Sequence, residues 1–147
     1  ILKDPHTGAF AIISLCCYFL LCVGIFSEMQ TERLFAAALV FVFSRSLSGI
    51  SVVTFQAAKN SGLLRTFQDG AQKRNVRMVL ILWLLAAGVG LCLTAGVCGV
   101  VSAGVGLVVF FYYYQFSRKQ FGGITGDLAG YFLQLCELFM LAVLALF

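Results

Sequence analysis

The sequence predicts an all-α integral membrane protein, a polytopic helical bundle with about five transmembrane helices. Hydrophobic residues make up 61% of its 147 residues and charged residues only 11%, and its mean hydropathy is +1.00. A water-soluble domain of this length leaves too much surface exposed to hide so many apolar side chains. The single proline agrees with this class, because backbone groups in hydrocarbon must be hydrogen-bonded within helices.

Five stretches are apolar and long enough to cross a bilayer, for which a helix needs roughly 20 residues. The predicted spans are 8–26, 34–55, 78–94, 97–116 and 128–147. The third and fourth share one apolar run that is too long for a single crossing, and the break is predicted between Thr94 and Val97. The whole chain is therefore expected to be one transmembrane domain. Because it begins with Ile1, we expect it to be the C-terminal part of a longer protein.

Small residues recur at helical spacing in the third and fourth spans. Ala95, Gly99 and Ala103 are spaced four residues apart, as are Ser102 and Gly106. This spacing favours close packing of membrane helices, whose backbones approach where side chains are small. The three tyrosines 112–114 that follow are predicted to form an aromatic belt at the membrane interface.

Nearly all the charge falls on one predicted face of the membrane. That face carries the N-terminal segment and the loops 56–77 and 117–127, with Lys3, Lys59, Arg65, Lys73, Arg74, Arg77, Arg118 and Lys119. Among basic loop residues, the opposite face has only Arg33; the carboxylates Glu28 and Glu32 also fall there. Short cytoplasmic loops carry such an excess of cations. We therefore expect an integral protein of the cell inner membrane, with the charged face cytoplasmic and the C-terminus outside.

Carboxylates accompany the cations on this face, which topology alone does not explain. Asp127 follows three glycines, Gly122, Gly123 and Gly126, at the start of the last span. Glycines let a backbone approach a ligand, and a helix N-terminus favours an anion. Asp127 is thus a candidate ligand for Mg²⁺, which proteins bind through one or two carboxylates together with substrate phosphates. The alternative is that Asp127 is an ordinary N-cap beside a flexible turn.

Two flanking segments extend the same candidate site. Arg118 and Lys119 precede the glycines and are suited to neutralising phosphate charge. Asp4 lies beside Lys3 at the start of the first span and is a candidate second metal ligand. Asp4 followed by Pro5 is equally typical of a plain helix start.

Two charged residues lie inside predicted spans, where ionisable groups are functional candidates. Arg45 is ten residues from Phe55 at the charged end of its span, and Glu137 is ten residues beyond Asp127. At 1.5 Å per residue, both lie about 15 Å deep. Their equal depth predicts an Arg45–Glu137 ion pair.

Three segments of the sequence together form a recognisable pattern. They are the start Lys3-Asp4-x-x-x-Gly8-x-Phe10, the Ser44-Arg45 pair inside a span, and GGITGDLAGYFLQLCEL at 122–138. These segments resemble the cobalamin synthase family of membrane enzymes. The family's last motif reads approximately GGxTGDxxGAxxxxxE, and the residues that match it are Gly122, Gly123, Thr125, Gly126, Asp127, Gly130 and Glu137. The resemblance spans the whole chain, and its specificity lies in this motif and the Asp4 segment.

The resemblance implies an adenosylcobinamide-GDP ribazoletransferase that acts with Mg²⁺ in the last steps of cobalamin biosynthesis. In that reaction α-ribazole, usually as its 5′-phosphate, attacks the corrinoid-side phosphorus of adenosylcobinamide-GDP and releases GMP. The resemblance assigns Asp4 and Asp127 to catalysis as metal ligands and Arg118 or Lys119 to phosphate charge. The diphosphate is assigned to Gly122, Gly123, Thr125 and Gly126. Asp69 and the 56–77 loop are assigned to nucleotide or corrinoid side groups.

Two departures from the family pattern affect these expectations. Pro5-His6 stands where the family usually has Ser-Arg, and the family's aspartate-rich DGxAD segment does not occur in this chain. We therefore expect the fragment to be inactive without the N-terminal half of the same protein. The other expected partners are the two substrates and the lipid bilayer; no nucleic acid is expected, and homo-oligomerisation is left open.

Three other classes of function remain open on the sequence. A transporter or channel would use Arg45 and Glu137 as an intramembrane polar pair. A CDP-alcohol phosphotransferase would need a DGxxAR-type signature, which does not occur here. A purely structural membrane subunit would leave the placement of Asp4 and Asp127 unexplained.

Overall fold

A computed structural model describes residues 8–58 and 73–147 of the protein, and the chain in these ranges is almost entirely helical. The helices are α1 (Ala9–Glu28), α2 (Leu34–Thr54), a long run Lys73–Phe121, and a last helix Gly126–Leu146, with a 3₁₀ turn at Thr31–Arg33 before α2. Each of the four main stretches is long and apolar enough to cross a membrane. The predicted all-helical membrane class is confirmed.

The long run is two helices joined at Gly96. A continuous helix of 49 residues would be about 74 Å long, more than twice the hydrocarbon thickness of a bilayer. Gly96 has φ 54° and ψ −126°, which is not helical, and glycine adopts such angles without strain. The helices on either side are α3 (73–95) and α4 (97–121), and the last helix is α5. The break lies inside the predicted interval from Thr94 to Val97.

The chain turns back on itself directly after this break. A Cβ on Gly99 would collide with the backbone carbonyl of Leu91. In a straight helix these two residues would be about 12 Å apart along the axis. The hairpin between α3 and α4 therefore depends on a backbone-to-backbone approach that only glycine permits.

The helices extend further into the polar segments than the hydropathy pattern predicts. α3 begins at Lys73 rather than at residue 78, and α4 continues to Phe121 rather than ending at residue 116. Arg118 and Lys119 therefore lie on the last turn of α4 and not in a loop, which corrects the prediction. Cations stabilise the C-terminal turn of a helix, where carbonyl groups lack partners. The helix ends only where Gly122 adopts a left-handed conformation, φ 68°.

Helices that follow one another from α2 to α5 run in alternating directions. In space, α2 packs against both α3 and α4. Along the α2–α3 contact, Gly49 packs on Leu80 and Leu39 on Gly90, so these two helices are antiparallel. Gly106 of α4 contacts both Phe43 of α2 and Met140 of α5. Ser102 also donates a hydrogen bond to the Met140 carbonyl, at 3.0 Å. Of the two predicted rows of small residues, the one formed by Ser102 and Gly106 thus lies at a contact between α2, α4 and α5.

This alternation gathers four helix termini at one end of the bundle. α2 and α4 end there, and α3 and α5 begin there; we call it the charged end. Within the described ranges, its charged residues are Lys73, Arg74, Arg77, Arg118, Lys119 and Asp127. α1 contacts α5 and buries none of its residues in the described part of the protein.

Tyr113 of α4 does not face the membrane interface, so the predicted belt of three tyrosines is wrong for this residue. Successive helix residues point about 100° apart, so three in a row cannot share one surface. Tyr112 is exposed and Tyr114 half-buried, whereas Tyr113 is buried in the core. The Tyr113 ring stacks on Phe132 of α5, with ring centroids 4.9 Å apart.

Candidate functional site

A short loop, which we call the glycine loop (122–125), joins α4 to α5 at the charged end. The N–H of Ile124 donates to the Gln56 carbonyl at 2.9 Å, and the N–H of Ala58 donates to the Ile124 carbonyl at 2.9 Å. These bonds pair the loop with the segment that leaves α2, as a single parallel bridge between Ala57 and Ile124. A Cβ on Gly123 would overlap the backbone of this segment. The close approach that Gly123 permits is therefore to the protein's own backbone.

The glycine loop sets the start of α5 and the position of Asp127. Thr125 is the N-cap residue, and its hydroxyl accepts a hydrogen bond from the N–H of Leu128 at 3.2 Å. The alternative that Asp127 caps the helix is therefore wrong. Asp127 lies in the first turn of α5 with its side chain exposed, and it forms no ion pair with any residue that the structure describes. Its carboxylate is left open to an external ligand.

The first turn of α5 also offers backbone donors. The N–H groups of Gly126 and Asp127 have no acceptor within the helix, as at every helix N-terminus. A Cβ on Gly126 would meet no atom within 4 Å. The surface beside these two N–H groups is thus uncrowded, which suits an oxyanion.

Arg118 lies at the opposite side of the loop and is held in place by Tyr114. Its Nη1 donates to the Tyr114 hydroxyl at 2.7 Å, and its guanidinium carbon lies 5.4 Å from the centroid of the same ring. Lys119 follows it and is exposed. Four loop residues separate the last turn of α4 from α5, so both cations and Asp127 flank one loop.

A cavity of about 670 Å³ opens between the ends of α2 and α4 and the glycine loop. Its walls are mostly aromatic, and Arg118 lies among the lining residues; they include Phe55, Phe110, Phe111, Tyr114, Ser117, Gly122, Gly123 and Ile124. The rings of Phe55 and Tyr114 are 4.7 Å apart, and those of Phe55 and Phe110 are 5.5 Å apart. The signal for this wall in the sequence is the density of aromatic residues between 110 and 116, but tyrosines near the end of a span are equally typical of an interfacial belt.

Arg45 and Glu137 are in direct contact between α2 and α5, as their equal depth predicts. Ser44 also donates to the same carboxylate oxygen of Glu137, at 2.8 Å. Glu137 is buried, whereas 60% of the Arg45 side chain is exposed on the surface of the described protein. The buried charge therefore has two donors, and Ser44 is a partner that charge arguments alone do not find.

Arg33 has a partner at the opposite end of the bundle. Its Nη1 donates to the Leu144 carbonyl at 2.7 Å, and its Nη2 donates to the Phe147 carbonyl at 3.0 Å. Both acceptors lie at the C-terminus of α5, where a cation satisfies unpaired carbonyls. This role accounts for the one loop cation on the sparsely charged face.

Part of the predicted site lies outside the described residues. This applies to Asp4 with Lys3, and to Asp69 with the neighbouring cations Lys59 and Arg65. Within 8–58 and 73–147, no group of three or more His, Cys, Asp or Glu side chains is close enough to hold a metal ion. One open carboxylate nevertheless fits a Mg²⁺ ion that a substrate diphosphate also coordinates.

The helices and the charged end define a polytopic helical membrane protein with one carboxylate and two cations around a loop at one end. The chain belongs to the family described as cobalamin-5-phosphate synthase, whose family model matches residues 1–145. This agrees with the resemblance drawn from the sequence.

Curated relatives support the same family. The chain is 46% identical over 138 residues to the adenosylcobinamide-GDP ribazoletransferase of Lachnoclostridium phytofermentans. The alignment covers 94% of this chain and 53% of that protein. It is 32% identical over 148 residues to a protein of the same name from Pseudomonas syringae, covering 99% of this chain and 59% of the relative. The chain thus spans about half the length of the curated relatives it matches. No solved structure matches it, and the relatives give no support to a transporter or channel.

Proposed function

We propose that this chain contributes part of the active site of a membrane adenosylcobinamide-GDP ribazoletransferase. The family and the names of the relatives support this activity. The structural observation that supports it is the glycine loop, which is hydrogen-bonded to the segment that leaves α2 and is flanked in the chain by Arg118 and Lys119 on one side and by Asp127 on the other. To bind a diphosphate together with its metal ion, a site needs a carboxylate for the metal and cations for the phosphates.

In the proposed reaction a hydroxyl oxygen of α-ribazole, free or 5′-phosphorylated, attacks the corrinoid-side phosphorus of adenosylcobinamide-GDP. A new P–O bond forms, the P–O bond to GMP breaks, and the hydroxyl proton is released. Little covalent chemistry is required of the protein in such a transfer, so catalysis depends on positioning and on charge stabilisation.

The described residues divide this work between them. Asp127 would hold Mg²⁺, with Asp4 as the proposed second ligand, and the bound ion would neutralise charge on the diphosphate. Lys119 would neutralise the charge that develops on the leaving GMP, and Arg118 would neutralise substrate phosphate charge on the cavity side of the glycine loop. The N–H groups of Gly126 and Asp127 would bind a phosphate oxygen at the start of α5. We place this surface at the cytoplasmic face of the cell inner membrane.

The test is an assay of the full-length protein with adenosylcobinamide-GDP, α-ribazole and Mg²⁺, following the corrinoid product and GMP. We expect Asp127→Ala to lower turnover by at least about 100-fold, as removal of one transition-state contact does. Glu32→Ala is the matched control, because Glu32 is an exposed carboxylate at the other end of the bundle. Unchanged turnover in Asp127→Ala would contradict the metal assignment, and absence of corrinoid product from the unmodified protein would contradict the proposed function.

A further inference from the structure

The cavity at the charged end has a chemical character that phosphate binding does not explain. Four rings line it, those of Phe55, Phe110, Phe111 and Tyr114, and the cation Arg118 lies among them. The rest of the lining is Leu107, the glycine loop and three polar residues, Thr54, Gln56 and Ser117. Its volume of about 670 Å³ is typical of small-molecule sites, which are mostly apolar with a few placed polar groups. Such a cavity suits a flat aromatic group that carries an anion on one side.

We propose that this cavity binds the benzimidazole base of α-ribazole and that Arg118 receives its 5′-phosphate. This inference rests on the proposed function and names the substrate of one part of its site. Stacking of a base on an aromatic side chain is worth about 1–3 kcal/mol, and the cavity offers several rings. The Arg118 guanidinium is already oriented by the Tyr114 hydroxyl, so a phosphate meets a cation that is held in place.

The walls favour benzimidazole over the guanine of the other substrate. Guanine has several donors and acceptors around its edge, and the lining offers only a few polar side chains to them, those of Thr54, Gln56, Tyr114, Ser117 and Arg118. Groups of guanine that face the apolar part of the wall lose the partner they have in water. An unsatisfied buried polar group costs about 1–3 kcal/mol. The benzimidazole of α-ribazole has no exocyclic amino or carbonyl group and avoids this cost.

The position of the cavity also suits the proposed reaction. Gly122, Gly123 and Ile124 line it, and the same loop continues through Thr125 to Asp127. A base seated against the rings therefore has its ribose beside the loop that leads to the diphosphate surface. The nucleophilic hydroxyl is held next to that surface rather than in the membrane interior.

Steady-state kinetics of the full-length protein test this assignment, with each substrate varied separately. For Phe110→Leu and Tyr114→Leu we expect the KM for α-ribazole to rise about tenfold, the equivalent of 1.4 kcal/mol, with the KM for adenosylcobinamide-GDP unchanged. Phe35→Leu is the control, because Phe35 is an exposed aromatic residue at the start of α2, away from the cavity. A KM does not depend on the amount of active enzyme, so a variant that folds poorly still gives a valid value.

The phosphorylated substrate separates the role of Arg118 from that of the rings. Arg118→Gln should raise the KM for α-ribazole 5′-phosphate more than the KM for free α-ribazole, while Phe110→Leu should raise both equally. If the ring variants instead raise the KM for adenosylcobinamide-GDP, or leave both values unchanged, the cavity assignment is wrong while the proposed function stands. If the unmodified protein forms no corrinoid product, both are wrong.

Discussion

The pair Arg45–Glu137 shows how a carboxylate inside a membrane span is supplied with hydrogen-bond donors. Glu137 is buried and accepts hydrogen bonds from both Arg45 and Ser44. A lone charge at the bilayer centre costs about 3 kcal/mol on insertion scales. The second donor matters because a buried carboxylate with unused lone pairs recovers only part of its desolvation energy.

A double-mutant cycle tests whether this pair is a structural unit. We expect Arg45→Gln to lower the stability of the protein in detergent by about 3 kcal/mol, because it leaves the buried charge of Glu137 without its cation. Glu137→Gln should cost less, because 60% of the Arg45 side chain is exposed. The double variant should lose less than the sum, with a coupling of about 0.5–3 kcal/mol. The measurement is thermal unfolding of all four proteins. Strictly additive losses would show that the contact contributes no energy.

At the scale of single residues, the sequence predicted the contact between the two intramembrane charges but not which residue caps α5. The Arg45–Glu137 contact follows from depth alone, which the helix rise fixes. The choice of Thr125 over Asp127 as the cap does not, because it depends on the residue at which α5 begins, and helix ends shift by one or two residues. The identity of the cap matters for the candidate site, because capping by Thr125 leaves the Asp127 carboxylate available to a ligand.

At the level of elements, the hairpin between α3 and α4 depends on Gly99 more than on Gly104, which lies on the same helix. A Cβ on Gly99 would meet the Leu91 backbone, which cannot move as a flexible side chain can, whereas a Cβ on Gly104 would meet no atom within 4 Å. The two positions therefore form a matched pair. Both are glycines on α4, but one faces a crowded backbone contact and the other faces open space.

We expect Gly99→Ala to destabilise the protein by at least about 1–3 kcal/mol, because the methyl group forces the two helices apart. Gly104→Ala should be neutral or stabilising by up to about 1 kcal/mol, since alanine is the better helix former. Thermal unfolding in detergent measures both. Equal effects of the two substitutions would show that the close approach at Gly99 does not hold the hairpin.

The sequence predicted a break between Thr94 and Val97, the interval that contains Gly96, because the length of the apolar run and its small residues both indicate it. It could not predict which face of α4 is buried, because a span that is apolar on every side has no pattern to separate core from lipid. The aromatic cavity was missed for this reason. Phe55 and Tyr114 are 59 residues apart in the sequence, and only the packing of α2 against α4 brings their rings together.

At the scale of the whole molecule, the unequal number of cations at the two ends predicts one orientation in the membrane, with the charged end inside. In the described ranges, the charged end carries Lys73, Arg74, Arg77, Arg118 and Lys119, and the other end carries Arg33. Moving one elementary charge across the membrane potential costs about 2.3 kcal/mol per 100 mV. Arg33 is compatible with the outer side because the C-terminal carbonyls of α5 accept its hydrogen bonds.

Cysteine accessibility in whole cells tests this orientation and, with it, the side on which the proposed reaction occurs. Lys119→Cys and Glu32→Cys place a thiol at exposed positions on opposite ends of the bundle. A membrane-impermeant maleimide should label Glu32→Cys in intact cells and Lys119→Cys only after permeabilisation. The six native cysteines all lie within helices, and the unmodified protein measures their background. The reverse labelling pattern would place Asp127, Arg118 and the cavity on the outer face, where an intracellular nucleotide-linked substrate does not reach them, and would contradict the proposed site.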